Sequence, residues 1–495
     1  MKRIFLYIVF AAAVLLAGDG KAQSLRLTLG DAVRLANDSS LNAFRYQNLY
    51  ASGYWQWRTF KAQRLPGLSL SITPANYLRY IAQRYDSEEN VDVFRSQRSY
   101  GASAGLTATQ NVDFLGGSLY LQSDLEYLRN FGDMKGNQYS SVPVRIGYRQ
   151  DLIGYNPFRW ERKIEPLKYE KVKKEFLYNM ETVSEDVVKL FFSLALAQTE
   201  MRLAKENLSS ADTLYVIGER RFRIASISQS DLLTLRLDRV NAENSVENAR
   251  IGVKRAMFEL ASYLGLDRET QIDAVLPGTP VAFDVPLPEA LIHARANSPE
   301  LMGERQTVLE AERDVNKAKV QSMFNATFNA SVGFNQFGTT LGRAYSHPLR
   351  QDMVSVSIDI PLLDWGVRKG KLNMARNTLN VAKIASRQKE LALEQDVTMT
   401  VNEFSSHQRL VGSAVEALDI ADRAYAQTVK RFIIGKADLN TLTLSHNRQQ
   451  DASRNYINSL QNYWLSYYKI RKLTLYDFER KTTLSRSFDN EEGVR

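Results

Sequence analysis

Arg221-Phe222-Arg223-Ile224, followed by Asp231-Leu232-Leu233-Thr234-Leu235, is answered further along the chain by Arg431-Phe432-Ile433-Ile434, followed by Asp438-Leu439-Asn440-Thr441-Leu442. A second match precedes each of these. Leu29-Gly30-Asp31-Ala32-Val33 runs into Ala36-Asn37-Asp38-Ser39-Ser40-Leu41, and Leu287-Pro288-Glu289-Ala290-Leu291 runs into Ala296-Asn297-Ser298-Pro299-Glu300-Leu301. Two matches in the same order indicate an internal duplication. The first repeat is expected over 23–275 and the second over 287–476, with a linker at 276–286 holding Pro277, Pro280 and Pro286 and a tail at 477–495.

Each repeat reads as helix, strands, long helix, sharp turn, helix. Leu167–Ile217 contains neither proline nor glycine, a longer uninterrupted run than a globular helix needs. In the first repeat helices are expected at about 31–64, 160–218 and 230–264, giving a helical hairpin over 159–264. In the second they are expected at about 299–322, 367–433 and 438–476, giving a hairpin over 366–476. Val183, Val187, Leu190, Leu194, Ala197, Met201, Ala204, Leu208 and Ala211 are spaced alternately by four and three. Leu232, Leu235, Arg239, Ala242, Val246, Ala249, Val253, Ala256 and Leu260 largely repeat the pattern. A 3.5-residue period is that of helices supercoiled on a neighbour. A turn over 224–230 would lay one seam against the other.

The strand segments fall at 68–152 and 326–362. Leu119, Leu121, Leu125 and Tyr127 alternate with Tyr120, Gln122, Asp124 and Glu126; Val354, Val356, Ile358 and Ile360 alternate with Ser355, Ser357 and Asp359. One apolar and one polar face fit a wall between lipid and water, and also a soluble sandwich. The aromatic residues crowding 77–160 favour the wall, because such residues gather at membrane interfaces. Two strands are expected in the second repeat and two to four in the first, at about 68–80, 100–112, 118–130 and 141–152. Membrane barrels start at about eight strands, so several copies must share one.

Composition narrows the function. Lys2 and Arg3, an apolar segment over 4–17 and Gly20-Lys21-Ala22 read as an export signal over 1–22. With no cysteine, disulfides and thiolate chemistry are excluded. The net charge of +9 comes from 64 basic and 55 acidic residues that are interspersed, a solvated surface rather than a nucleic-acid stripe. His293, His347, His407 and His446 have no metal-ligand spacing, and neither a nucleophile elbow nor a phosphate-cradling loop occurs. No cofactor and no enzymatic activity are expected.

This plan resembles the TolC family of outer-membrane efflux channels over nearly the whole chain after residue 22. Ile360-Pro361-Leu362-Leu363-Asp364-Trp365-Gly366-Val367-Arg368 is similar to that family's strand-to-helix junction. Tyr148–Pro157 is similar to the first-half counterpart, and Ile224-Ala225 and Ile434-Gly435 to its hairpin turns. The resemblance implies a mainly α fold with a transmembrane portion: a homotrimer whose shared 12-stranded β-barrel continues as a long periplasmic coiled-coil barrel. It implies a passive exit duct in the outer membrane of a Gram-negative bacterium, for drugs, small molecules or proteins. Its partners would be outer-membrane lipid, a periplasmic adaptor and an inner-membrane RND or ABC transporter, as in tripartite efflux or type I secretion.

Adaptor docking and the periplasmic gate would then fall on Arg221, Phe222, Ala225, Asp231, Arg431, Phe432, Gly435, Lys436 and Asp438. The junction would be carried by Pro361, Asp364, Trp365 and Gly366. The family's acidic gate position matches Asp231, whereas its tyrosine and arginine partners fall at Phe432 and Ala437, leaving Lys436 or Arg431 as substitutes. The family's pore-entrance aspartates match Thr441 and Leu444, so no cation ring carries over. Ala225 stands where a turn glycine is common, so a different turn is expected there, and the Tyr100–Asn130 hairpin is expected to project outside the cell rather than widen the barrel. Asp231 and Asp438 could cap the returning helices as well as gate. Arg159, Arg162, Lys163, Arg368, Lys369 and Lys371 open the long helices against their dipoles; they either meet anionic headgroups or wall polymer or are simply solvated. A structural or adhesive surface protein on the same fold is the alternative to a channel.

Overall fold

The computed structural model describes residues 25–485 apart from 87, 132–134, 268 and 435. The export signal and the end of the tail lie outside the described residues. The chain divides into two units, 1–51, 173–299 and 390–495 in one, 52–172 and 300–389 in the other.

The first unit is helical. β1 (Leu25–Thr28) pairs in parallel with β6 (Ile272–Val275) and leads into α1 (Leu29–Ser39) and α2 (Leu41–Ala62). Thr28 caps α1 by accepting from the Asp31 amide. Then come α3 (Pro157–Arg223), α4 (Gln229–Leu264), α5 (Leu287–Asn297), α6 (Pro299–Gln321), the short α7 (Leu341–Ser346), α8 (Val367–Ile433) and α9 (Leu439–Thr474). Of these, α7, α6 past Pro299 and the portions of α2, α3 and α8 at 52–62, 157–172 and 367–389 belong to the second unit. α3 and α8 are each 67 residues long, about 100 Å at 1.5 Å per residue. Every residue of the two seams is buried or half-buried, between mostly exposed neighbours in α4. Arg239 of α4 pairs with Asp212 of α3 at 2.7 Å, so the two seams meet across the hairpin.

The core gathers around Phe191, Phe192, Leu194, Leu260, Leu264, Phe404 and Leu460, all no more than 2% exposed. A buried ion cluster ties α9 to α3. Arg471 reaches Glu181 at 3.0 Å and Asp477 at 3.3 Å, and Lys472 meets Glu185 at 2.6 Å. Burial pushes the Glu181 carboxyl up, against the pull of Arg471. Burial opposes the Arg471 charge, but Glu181 and Tyr467 outweigh it and hold the guanidinium above its ordinary range. Glu181 and Asp477 thus face Arg471 together.

The second unit is built on one antiparallel six-stranded sheet. Its strands are β2 (Gly67–Asp86), β3 (Val91–Val112), β4 (Gly117–Phe131), β5 (Gly136–Ile153), β7 (Asn325–Gly338) and β8 (Leu349–Asp359), paired in that order. The first repeat therefore supplies four strands, the upper limit of the expectation. Six strands exceed the four that a twelve-stranded trimeric barrel draws from each chain. The projecting Tyr100–Asn130 hairpin is also corrected: β3 pairs with β2 and β4, and β4 with β3 and β5, so the hairpin lies inside the sheet. Its turn sits at the helix-bearing end, where Asp113 pairs with Arg64 at 3.3 Å and its carbonyl accepts from Asn156 at 3.1 Å.

Register separates the two faces. Leu68 is level with Ala108, Ala108 with Leu121, Leu121 with Ile146 and Ile146 with Val332. Next to that row, Leu119, Tyr148, Ala330 and Val354 stand level. The opposite face carries Ser71, Gly105, Thr107, Gln122, Asp124, Arg145, Asn329 and Ser355. On it the Tyr120 ring lies over Gly147, where any Cβ would collide with it. A glycine covered by a cross-strand aromatic ring is a known way to hold a curved sheet. The apolar face is uncovered: Leu68, Ile72, Ile146 and Val354 are 70%, 60%, 59% and 74% exposed.

Candidate functional site

The two hairpin tips are built alike. α3 ends as Ala225 donates its amide to the Phe222 carbonyl at 2.9 Å and Ser226 to Arg221 at 2.8 Å. That paired closure needs a left-handed residue, and Ala225 supplies it with φ of 57°. The expectation of a different turn at Ala225 is thus corrected. In the second tip Lys436 donates to Arg431 at 2.8 Å, the same offset, and the Arg431 guanidinium reaches the Lys436 carbonyl at 3.4 Å. Gly435 lies outside the described residues.

The returning helices are capped at equivalent places by different residues. Ser228 caps α4 and forms a reciprocal box with Asp231: the Asp231 amide donates to Ser228 Oγ at 3.1 Å, and the Ser228 amide to Asp231 Oδ2 at 3.1 Å. Asp438 caps α9, accepting from the Thr441 amide at 2.7 Å. The equal offsets make Ser228, not Asp231, the counterpart of Asp438. Hydrogen bonds from Ser228 hold the Asp231 carboxyl below the usual range, and those from Thr441 do the same for Asp438. Among the described residues no ion pair reaches Asp231. Phe222, Ile224 and Ile434 are 40%, 75% and 65% exposed, with Arg220, Arg221, Arg223, Lys430 and Arg431 in the closing turns of α3 and α8. Each tip is therefore an apolar knob ringed by cations, which favour a helix C-terminus. Phe432 is half-buried.

Sequence reasoning missed a cavity of about 260 Å³ between the hairpins, lined by Asn207, Asp238, Asn241, Tyr425, His446 and Gln450 among others. His446 is 9% exposed; its Nε2 lies 2.8 Å from Gln450, its ring 5.0 Å from that of Tyr425, and its Nδ1 has no partner. Burial pushes the imidazole down, with Glu206 opposing. The only signal in the sequence was a polar residue on a helix face that packs against a neighbour.

At the strand-to-helix junction, Asp364 accepts from the Gly366 amide at 3.1 Å and from the Arg368 amide at 3.0 Å, and it grips Arg368 Nε at 2.5 Å. Arg368 in turn donates to the Pro361 carbonyl at 3.0 Å. This lowers the Asp364 pKa, chiefly through the Arg368 side chain, and it answers one of the cations that oppose the helix dipole. Trp365 and Gly366 take φ of 53° and 84°, a left-handed pair that turns strand into helix. Leu362 and Trp365 are 92% and 90% exposed.

Residues 291–474 match the model of the outer membrane efflux protein family. No curated protein matches the chain by sequence. Among solved structures, the CmeC outer membrane channel of Campylobacter jejuni superposes with a TM-score of 0.67 at 14% identity, over 94% of this chain and 89% of that one. The outer membrane protein VceC of Vibrio cholerae gives 0.62 at 13%, over 92% and 97%. The open-state MtrE outer membrane channel of Neisseria gonorrhoeae gives 0.60 at 15%, over 92% and 94%. The fold is that of the TolC family.

Within the TolC-like fold the two expected sets of site residues fall in different units. Arg221, Phe222, Ala225, Asp231, Arg431, Phe432, Lys436 and Asp438 belong to the helical unit. Pro361, Asp364, Trp365 and Gly366 belong to the sheet-bearing unit. Among the described residues no cluster fit to hold a metal occurs, and no helix is long and apolar enough to cross a membrane.

Proposed function

We propose that this protein is the outer-membrane exit duct of an export machine, a passive conduit rather than an enzyme. The observation that carries the reading is the sheet: an exposed apolar face, a polar face opposite, and too few strands to close alone. A wall of that kind is stable only as part of a shared barrel in lipid, since unpaired backbone in hydrocarbon costs several kcal/mol per group. A homotrimer of such chains, with its helices extending into the periplasm of a Gram-negative cell, accounts for the seams and the length of α3 and α8.

The tips would dock a periplasmic adaptor that links the duct to an inner-membrane transporter, of the RND or ABC class, in tripartite efflux or type I secretion. Their exposed apolar residues and cations suit a partner with a complementary groove. The gate would use Asp231 with Arg431 or Lys436 of a neighbouring hairpin, because Phe432 cannot donate the hydrogen bond of a tyrosine. Deleting the gene should raise accumulation of a fluorescent dye or drug, and the purified oligomer should open discrete conducting steps in a planar bilayer. Absence of any opening, including after charge reversal at Asp231, would favour a structural or adhesive role.

A further inference from the structure

We infer that every copy contributes all six strands to the lipid-facing wall, so that a ring of three copies closes an eighteen-stranded barrel, six from each. This rests on the shared-barrel reading above and specifies its size and its interface. Three observations carry it.

The first is the continuity of the apolar face. If the hairpin of β3 and β4 stood outside the membrane, its two faces need not match those of the other strands. Instead Leu106 stands level with Leu70, and the row Leu68, Ala108, Leu121, Ile146 and Val332 crosses β3 and β4 without a break, with Ser123 and Asp352 the polar residues beside it on that face. Leu106 and Leu121 are 43% and 46% exposed. An apolar surface of this extent on a monomer marks a site covered by something else.

The second is an aromatic row that crosses the same strands. Tyr77 is level with Tyr100, and Tyr127 with Tyr139; the Tyr127 ring lies 6.3 Å from that of Tyr100 and 5.0 Å from that of Tyr139. From the turn holding Phe114 to this row is roughly ten to twelve residues of strand. At a tilt of about 40° that rises about 25–30 Å, enough to cross the apolar band of an outer-membrane barrel, about 25 Å tall. The extra hairpin is thus cut to the same thickness of lipid as a wall strand.

The third is the pair of free edges. Among the described residues β2 pairs only with β3 and β8 only with β7. β2 starts beside the helices and runs away from them, whereas β8 runs towards them. In a rotationally symmetric ring β8 of one copy therefore meets β2 of the next in the antiparallel sense used throughout the sheet. No edge remains and the strand count is even, as such barrels require. With strands about 4.8 Å apart, eighteen give a backbone radius of about 18 Å against about 12 Å for twelve. The cargo that passes would be correspondingly bulkier.

The chain has no cysteine, so single cysteines can be placed cleanly in the full-length protein in proteoliposomes. A membrane-impermeant maleimide should label Ser71→Cys, Thr107→Cys and Gln122→Cys at least about tenfold faster than Leu70→Cys, Leu106→Cys and Leu121→Cys, as Ser357→Cys is labelled faster than Val356→Cys. Alternation at β8 but fast labelling of both faces at β3 and β4 would overturn the eighteen-stranded wall and leave the channel reading standing. No alternation at any strand would overturn both. As an independent measure, end-on views of the oligomer by electron cryomicroscopy should show a ring about 36 Å across at the backbone; a ring of about 24 Å would contradict the inference.

Discussion

Ala225, Arg471 and His446 each hold a conformation or an environment that costs something, and each yields a test. Ala225 adopts a left-handed backbone that glycine reaches without penalty. Ala225→Gly should therefore strengthen the first tip by about 1 kcal/mol, seen as slower hydrogen exchange at the Ala225 and Ser226 amides. Faster exchange would show that the turn gains nothing from relief of strain. Arg471 matches two buried carboxylates. Arg471→Met should cost about 3–5 kcal/mol in the unfolding free energy, because Glu181 and Asp477 lose their cation. His446 has a folded pKa below the ordinary 6.5. The unfolded chain then binds the extra proton, so stability is present above about pH 6.5 and is lost as pH falls below it. His446→Gln should flatten the fall in melting temperature between about pH 7 and pH 5; an unchanged slope would place that loss elsewhere. None of these environments could be read from sequence alone, since burial of a lone histidine or a left-handed alanine is settled by the neighbours that surround it.

Among the elements, the long helices were the most legible. In α3 and α4 a 3.5-residue period sustained over nine seam positions fixes both the helix and the face it buries, and α8 spans the 367–433 expected of it. The strands were less so. β2 runs to Asp86 and β3 starts at Val91, whereas alternation suggested an end near Tyr80 and a start near Tyr100. The intervening ribbon mixes Arg79, Gln83, Asp92, Ser96 and Gln97 with apolar residues, so neither face is cleanly apolar and the pattern fades while the pairing persists. The tip caps show a third limit. Asp231 and Asp438 looked equivalent by local similarity, yet the closing hydrogen bonds align Ser228 with Asp438. Ser228→Ala should accordingly loosen the first turn of α4 by about 1 kcal/mol, measurable as faster amide exchange at Asp231 with the end of the helix unaffected. Equal exchange in both proteins would mean the box contributes nothing there.

At the scale of the whole molecule, duplication, helical seams and a two-faced sheet all describe a chain that is incomplete alone. The expectation that several copies share a wall came from the strand count; the number of strands in each chain's sheet was not legible, because whether β3 and β4 join it depends on register, which alternation leaves open. The central claim is that three chains pool their strands into one lipid-embedded barrel. It is tested most directly by the mass of the protein released intact from detergent micelles by native mass spectrometry. The spectrum should show a species of three chains that survives only in detergent or lipid; a stable single chain, soluble in plain buffer, would rule the shared barrel out.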